Sequence, residues 1–337
     1  MQPVRQKEEF DMKRRRPGAM SDGQGRDRRG QGHLRRRPGY AVLAALLVAA
    51  VGSGCAAETG DRAPADPGQA SAAGAGQQGG PPAGMAGSVA AQAEKARRAQ
   101  AARAVAAKKW GLASTPLAPP APPAAKPRIT TRKGFEVEGG DALPPVFTAV
   151  PTKEKIVFLT MDDGDDKDPE LLRMMSELSI PYSAFLSDYL VRDDYGYFKE
   201  AQARGVVLGN HTLNHRYMPG LSSEEQKREI CDQQDIIEQQ YGERPRLFRP
   251  PYGNYNGDTL RIAKSCGITA VPLWAAEAFP DHMEWREKDQ DLHPGDIILT
   301  HFRGKKDWKG SMPDLIRSVM KVITDKGYAV ARLEDYV

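Results

Sequence analysis

The chain reads as an α/β protein: a small or incomplete parallel barrel of about seven strand–helix units, preceded by a disordered N-terminal region. Three observations carry this reading. From Pro151 onward, short apolar runs alternate with helix-like segments, the pattern of parallel strands joined by crossover helices. Residues able to do chemistry fall just after the apolar runs, where strand C-termini would gather at one rim. Composition also shifts near residue 150: residues 1–150 carry 23 Lys+Arg against 12 Asp+Glu, and residues 151–337 carry 25 against 32. The overall charge of +4 averages two unlike parts and is not a nucleic-acid signal.

The N-terminal region divides into two expected pieces. In residues 1–55, Arg28-Arg29 and Arg35-Arg36-Arg37 precede an apolar run at 40–52 that is almost wholly Ala, Leu and Val. Basic residues, a short apolar run and the small residues Gly52-Ser53-Gly54 make an export signal, and the run is shorter than the roughly 20 residues a membrane span needs. Cys55 follows directly. Small residues before a cysteine resemble a bacterial lipobox, which would make Cys55 the site of a lipid anchor on the extracellular face of the membrane; a soluble secreted protein and an uncleaved signal anchor are the alternatives. Residues 56–145 are rich in Ala, Gly and Pro and are expected to be a flexible tether, with 90–110 as a solvated linker helix. With Cys55 assigned to processing, Cys231 and Cys266 remain. Export permits a disulfide between them, and two separate buried thiols explain them equally well.

The folded domain is expected to span 146–337, a length that suits one good core. Strand-like runs lie at 155–160, 182–186, 206–209, 245–248, 268–273, 296–300 and 328–332. Helix-like segments lie near 168–179, 194–204, 222–241, 257–266, 281–289 and 311–326. The clearest is 222–241, with serines at its start, Glu224 and Glu225 in the first turn and Gly242 just past the end. Asp162 and Asp163 follow the first strand, and His211 and His215 the third. Arg249 and Tyr252 follow the fourth, Trp274 ends the fifth and His301 the sixth. Five strands delivering such residues to one rim outweighs any single motif.

Taken singly, these motifs are ambiguous. Asp-Asp-Gly is often a plain turn, and an EF-hand loop begun at either aspartate lacks its glycine and its final glutamate. Asp165, Asp166 and Asp168 fit a solvated loop and helix N-terminal charges. His211 and His215, four apart, can share a face of one helical turn. They are not a zincin helix, since Thr212 stands where that motif has Glu. Together with one carboxylate they make a three-donor set for Zn²⁺ or a similar ion, with a position left open, and that is a catalytic arrangement. The second aspartate is then free for proton transfer.

The combination Thr160-Met-Asp-Asp-Gly164, Asn210-His-Thr-Leu-Asn-His215, Arg249-Pro-Pro-Tyr-Gly253 and Leu299-Thr-His301 resembles the polysaccharide deacetylases of carbohydrate esterase family 4. The resemblance covers about 150–337. It implies a distorted (β/α)7 barrel and metal-dependent removal of acetyl groups from N-acetylglucosamine-containing polysaccharide (peptidoglycan, chitin-like or poly-N-acetylglucosamine), or from O-acetyl xylan in some members. It makes Asp162 the general base, Asp163, His211 and His215 the metal ligands, and His301 the general acid. Arg249 would orient Asp162, and the Tyr252 N–H would help hold the oxyanion. The ion implied is Zn²⁺, with Co²⁺ or Ni²⁺ as substitutes. Met161, Asp165 and Phe302 depart from common family residues. The tryptophan region departs further: Trp274 and Trp285 are the candidate substrate-contacting aromatics, and the acid that tunes His301 is Glu284 or Glu277. No nucleic acid and no obligate protein partner is expected. A glycan-binding or sensory lipoprotein on the same fold is the competing reading, and Fe(II) oxidative chemistry is a distant third.

Overall fold

The computed structural model describes residues 83–337. The expected export signal at 1–55, Cys55 and the first part of the tether lie outside the described residues. No helix among the described residues is long and apolar enough to cross a membrane.

Strand β1 (Val146–Phe147) is short, and β2 (Ile156–Asp163) is the centre of the molecule, with all eight residues buried. Burial on both faces is what a parallel strand under a helix layer requires. Ile156 and Phe158 point inward onto Phe185, Leu247, Ile297 and Tyr336. Val157, Leu159 and Met161 point outward onto helix residues such as Leu171, Met174, Leu315 and Val319. The two-residue period of the strand produces this split.

Around β2 stand β3 (Ser183–Leu186) and β4 (Val207–Asn210) on one side and β8 (Ile297–His301) on the other, all parallel. Register places Asp162 opposite both Phe185 and His301. Beyond β4 the ring narrows to single parallel bridges, Asn210 with Phe248 and Leu247 with Ala270. It continues through β5 (Val271–Pro272), which pairs with β1, and β6 (Ala276–Ala278), which pairs with β8. Strand β9 (Ala329–Val330) joins the start of β2. Each of the seven strand-like runs is thus present, three of them (245–248, 268–273 and 328–332) reduced to bridges or two-residue ladders. The result is the distorted (β/α)7 barrel that the sequence implied.

The helices follow their caps. Helix α1 (Ala83–Lys109) precedes the barrel. Helix α2 (Pro169–Leu178) begins at Asp168, whose side chain accepts from the Glu170 N–H, and α3 (Asp188–Val191) is one turn. Helix α4 (Tyr195–Ala203) is capped by Asp194. Capping boxes start α5 (Ser223–Lys227) at Ser222, α7 (Gly257–Ser265) at Asn256 and α8 (Met312–Asp325) at Ser311.

Three expectations change, and one left open is decided. The helix expected at 222–241 is interrupted by a π turn, Arg228–Asp232, before α6 (Gln233–Tyr241). The cause is local: the carbonyls of Glu229 and Ile230 accept from Leu213 N–H and Asn210 Nδ2, so the loop carrying His211 takes part of the helix ladder. The segment 281–289 is not a helix. Its residues Met283–Trp285 form β7, antiparallel to β6, because the open edge of β6 offers backbone partners and the segment lacks a helical apolar period. Cys231 and Cys266 form a disulfide with Cα atoms 5.3 Å apart, tying the π turn to the end of α7.

The third change concerns the tether. Its described C-terminal part packs on the barrel rather than hanging free. Ala106 and Ala107 of α1 are buried in the outer cluster, where small side chains let the helix backbone approach α2. Arg103, also buried, donates through Nε to Leu178 O at 3.0 Å, and Lys109 Nζ and Trp110 Nε1 donate to Glu177. Farther along, Lys126 Nζ reaches Glu334 O, and Phe135, Val137 and Leu143 pack on the cluster around Phe248 and Leu260.

Candidate active site

The C-terminal ends of β2, β4 and β8 and the loop after Phe248 converge on one buried polar patch. At the end of β2 the side chains of Thr160 and Asp162 face inward, and the chain then turns sharply through Asp163 (φ 78°) and Gly164 (φ 91°). A side chain at Gly164 would strike Val191 and Phe198, which accounts for glycine in Asp-Asp-Gly. Left-handed backbone at a non-glycine residue is costly and persists only where the surroundings enforce it. Besides Asp163 it occurs here at Thr212 (φ 70°), His215 (φ 53°) and Tyr252 (φ 62°).

The two histidines do not share a helical turn, contrary to the sequence expectation. They stand on a loop folded by side-chain hydrogen bonds. Asn210 Oδ1 accepts from Thr212 N–H at 2.8 Å, Thr212 Oγ1 accepts from His215 N–H at 3.0 Å, and buried Glu229 accepts from Asn214 N–H and Nδ2. Asn, Thr and Glu thus replace a helix ladder and bring the imidazole centroids to 4.8 Å.

Arg249 is fully buried and acts at both ends. Its Nη1 donates to Asp162 Oδ1 at 2.8 Å and Thr160 Oγ1 at 2.9 Å, and its Nε donates to Pro272 O at 2.8 Å. Its own carbonyl accepts from His211 Nδ1 at 2.6 Å. With Nδ1 carrying the proton, His211 Nε2 presents a lone pair. Burial pushes the His211 imidazole down to about 4, so the ring is neutral near neutral pH.

That lone pair faces Asp163. Oδ1 of Asp163 lies 3.6 Å from His211 Nε2 and 3.4 Å from His215 Nε2, and it is buried without a hydrogen-bond partner. One donor atom from each of the three residues fits within a 4.8 Å span. Two donors each about 2.1 Å from a tetrahedral ion stand about 3.4 Å apart, so the set is sized for one divalent cation. An orphaned buried carboxylate oxygen facing two imidazole nitrogens is what such an ion satisfies. The other oxygen, Oδ2, accepts from Arg303 Nη2 at 2.8 Å. Burial pushes the Asp163 carboxyl up, but His301, His215, His211 and Arg303 outweigh it and hold it well below the usual carboxylate range.

Asp162 stands outside that set. Burial pushes its carboxyl up to about 6, with Arg249 and His301 pulling the other way. Oδ2 stands 3.7 Å from His211 Nε2, beside the donor cluster. His301 ends β8 opposite Asp162, and burial pushes its imidazole down to about 4 against the pull of Asp163 and Asp162. Its Nδ1 lies 3.5 Å from Glu277 Oε1, so of the two acids left open by the sequence it is Glu277 that stands beside His301. Glu284 is the cross-strand neighbour of Glu277 and lies 3.5 Å from His282 instead.

The aromatic candidates separate. Trp274 lies with its ring 5.8 Å from the Arg249 guanidinium and closes over Gly253, where an added Cβ would come to 3.0 Å of the indole. The Tyr252 ring meets His215 edge-on at 4.7 Å. Trp285 is not brought to the site. It pairs with Ala276, packs on the outer cluster and lies under Lys326 at 5.9 Å, because alternation along β7 turns it away from the face that carries Glu284. Four participants were not singled out from the sequence: Thr160, Glu229, Arg303 and Trp308, whose ring stands 6.1 Å from His301. Arg303 and Trp308 lie in the segment just after His301, and their closeness to it in the chain was the available signal.

Residues 149–271 match the polysaccharide deacetylase family model. An uncharacterized protein of Streptomyces coelicolor, SCO4760, is 36% identical over 203 residues, covering 60% of this chain and 81% of that one. A peptidoglycan-N-acetylglucosamine deacetylase of Bacillus cereus is 31% identical over 166 residues, covering 46% of this chain and 76% of its own length. The crystal structure of the Bc1960 peptidoglycan N-acetylglucosamine deacetylase, bound to an N-hydroxybenzamide, aligns at a TM-score of 0.50 and 22% identity over 58% of this chain and 93% of that one, a likeness of fold. Sequence identity sustained across most of each curated relative, and not the barrel alone, shows that this chain belongs to the polysaccharide deacetylase family, carbohydrate esterase family 4.

Proposed function

We propose that the protein is a zinc-dependent hydrolase that removes N-acetyl groups from N-acetylglucosamine-containing polysaccharide outside the cell. The single observation that carries this reading is the pair of unlike carboxylates at the end of β2. Asp163 aims an unpartnered buried oxygen at two imidazole nitrogens, while Asp162, next in the chain, is held by a buried arginine. One carboxylate is arranged to bind a cation and the other to move a proton.

Asp163, His211 and His215 would hold the cation, whose Lewis acidity makes water a nucleophile near neutral pH and polarises the acetyl carbonyl. Asp162 accepts the proton of the attacking water, and Arg249 keeps its carboxylate aimed. The peptide at Tyr252, turned by its left-handed φ, is the candidate donor for negative charge growing on the acetyl oxygen. His301 protonates the departing nitrogen, and Glu277 beside its Nδ1 favours the tautomer and charge that this demands. An amine leaves poorly unless protonated, so the pairing of Glu277 with His301 supports an amide over an O-acetyl ester. Trp274 forms a wall of the pocket.

The experiment is acetate release from peptidoglycan, chitooligosaccharides and poly-N-acetylglucosamine by protein stripped with chelator and reloaded with Zn²⁺, Co²⁺ or Ni²⁺. Release only on reloading is expected. No acetate from any of these glycans with metal content verified would sink the reading.

Export and anchoring rest on the arginines before residues 40–52 and on Cys55, with the Cys231 to Cys266 disulfide in keeping with an oxidising compartment. Fractionation of cells carrying the wild type and Cys55→Ala is the check. A lipid anchor predicts that the wild type partitions to the membrane and the variant is released, and equal partitioning would refute it.

A further inference from the structure

The loop that follows His301 has a construction that the deacetylation chemistry does not use. Residues 303–309 read Arg-Gly-Lys-Lys-Asp-Trp-Lys, four bases and one acid, in a segment 151–337 whose acids outnumber its bases 32 to 25. Both ends of the loop are fixed to the site. Arg303 Nη2 is bonded to Asp163, and the Trp308 ring stands edge-on to His301 at 6.1 Å. Between these anchors, the N–H groups of Asp307 and Trp308 both donate to Gly304 O, at 3.0 and 2.9 Å, closing a tight turn. Gly304 rests against the Asp166 carboxylate so closely that any side chain there would clash. Lys305 and Lys306 thus lie in a tight turn whose two ends are fixed beside the site.

Their partners decide what they are for. Many exposed bases on the helices are neutralised by a nearby acid: Arg173 by Glu170, Arg204 by Glu200, Arg261 by Asp258, Lys321 by Asp325. Lys305 and Lys306 are exposed and have neither a hydrogen bond nor an ion pair among the described residues. Lys309 stands 3.8 Å from Asp281 and is 89% exposed, a pair of small worth. Trp308 continues into Phe279 at 5.5 Å, which stacks on His282 at 4.5 Å. The indole of Trp308 beside His301, in a loop with two ammonium groups that no acid pairs, suits a sugar ring that carries a negative charge, because the ring face covers the indole while the anion meets the lysines.

We infer that loop 303–309 is a subsite for a carboxylate-bearing sugar adjoining the acetylated residue, so that the protein acts on an acidic glycan in preference to a neutral one. This rests on the deacetylase reading and names its substrate class. The test compares a neutral chitooligosaccharide with an alternating N-acetylglucosamine/N-acetylmuramic acid oligosaccharide of equal length, the latter both with free lactyl carboxylates and with those carboxylates amidated. Zinc-loaded wild type should show a higher kcat/KM on the free acid than on its amide. That preference should shrink as ionic strength rises, since exposed charges are screened over about 8 Å at physiological salt. In the double variant Lys305→Glu, Lys306→Glu the ratio of kcat/KM, acid over amide, should fall about tenfold, chiefly through KM.

Equal use of acid and amide by the wild type, or a ratio unmoved in the double variant, overturns the subsite. Calorimetric binding of the same oligosaccharides to Asp162→Asn protein separates the two readings. Preferential binding of the free acid supports the subsite whether or not acetate is released, and indifference between acid and amide overturns it while acetate release by the wild type leaves the deacetylase reading standing.

Discussion

Strand β2 begins among Ile156 and Phe158, packed on Ile297, Ala329 and Tyr336, and ends at Asp162 and Asp163, packed on Arg249, His211 and Arg303. At the first end the inward side chains pack in an apolar cluster, and the Phe158 and Tyr336 rings meet edge-on at 5.2 Å. At the second end the inward groups are charged, the backbone is held left-handed at Asp163, and a carboxylate oxygen is buried without a partner. The same strand, with one inside and one outside, supports both. The apolar end supplies the stability that lets the polar end stay strained and unsatisfied. Substitutions at the two ends should therefore fail in different ways.

The sharpest break is at the polar end. Asp162→Asn should lower acetate release by about 10³-fold while bound zinc, measured by elemental analysis, stays near the wild-type value. Asp163→Ala should lose the zinc itself. Loss of metal in both would merge the two roles that the geometry keeps apart. Next is the apolar end: Phe158→Ala should cost about 3–5 kcal/mol in denaturant unfolding, with the surviving folded protein still binding zinc and retaining turnover. A loss of turnover without a loss of stability there would dissolve the contrast. Smaller is the hairpin rim, where Glu277→Gln should reduce kcat roughly tenfold and Glu284→Gln should leave it within about twofold, because only Glu277 stands beside His301. The smallest effect is on the outer layer. Glu177→Ala removes the exposed pair with Lys109 and the Trp110 bond, and should barely move the midpoint of denaturant unfolding, with activity unchanged.

Much of this was legible in the sequence, and the rest was not for identifiable reasons. The strands around the core and the helices at 168–179, 194–204 and 311–326 carry clear periods and capping residues, and the structure has them within a few residues. The polar residues after the strands were legible because a parallel barrel sends strand ends to one rim. The His211 to His215 loop was misread because a spacing of four is equally compatible with a helical turn and with a loop closed by Asn210 and Thr212. Choosing between Glu277 and Glu284, and seeing that Trp285 faces outward, required the hairpin register, which a charge-rich segment does not advertise. Packing of α1 was hidden for a different reason. Alanine-rich helices bury little apolar area, so their docking depends on long-range polar anchors such as Arg103 on Leu178 O.

Arg249 contributes through two chemically independent parts, and only one of them answers to mutagenesis. Its guanidinium can be exchanged, but its carbonyl, which sets the tautomer of His211, belongs to the peptide and persists in any variant that keeps the loop. Replacing the side chain should therefore release Asp162 while leaving Asp163, His211 and His215 in place, and losses measured at this position should understate what the residue does. Its full role would show only in a semisynthetic protein with an ester at that peptide link, where weakening one acceptor oxygen would be felt as a change in metal affinity.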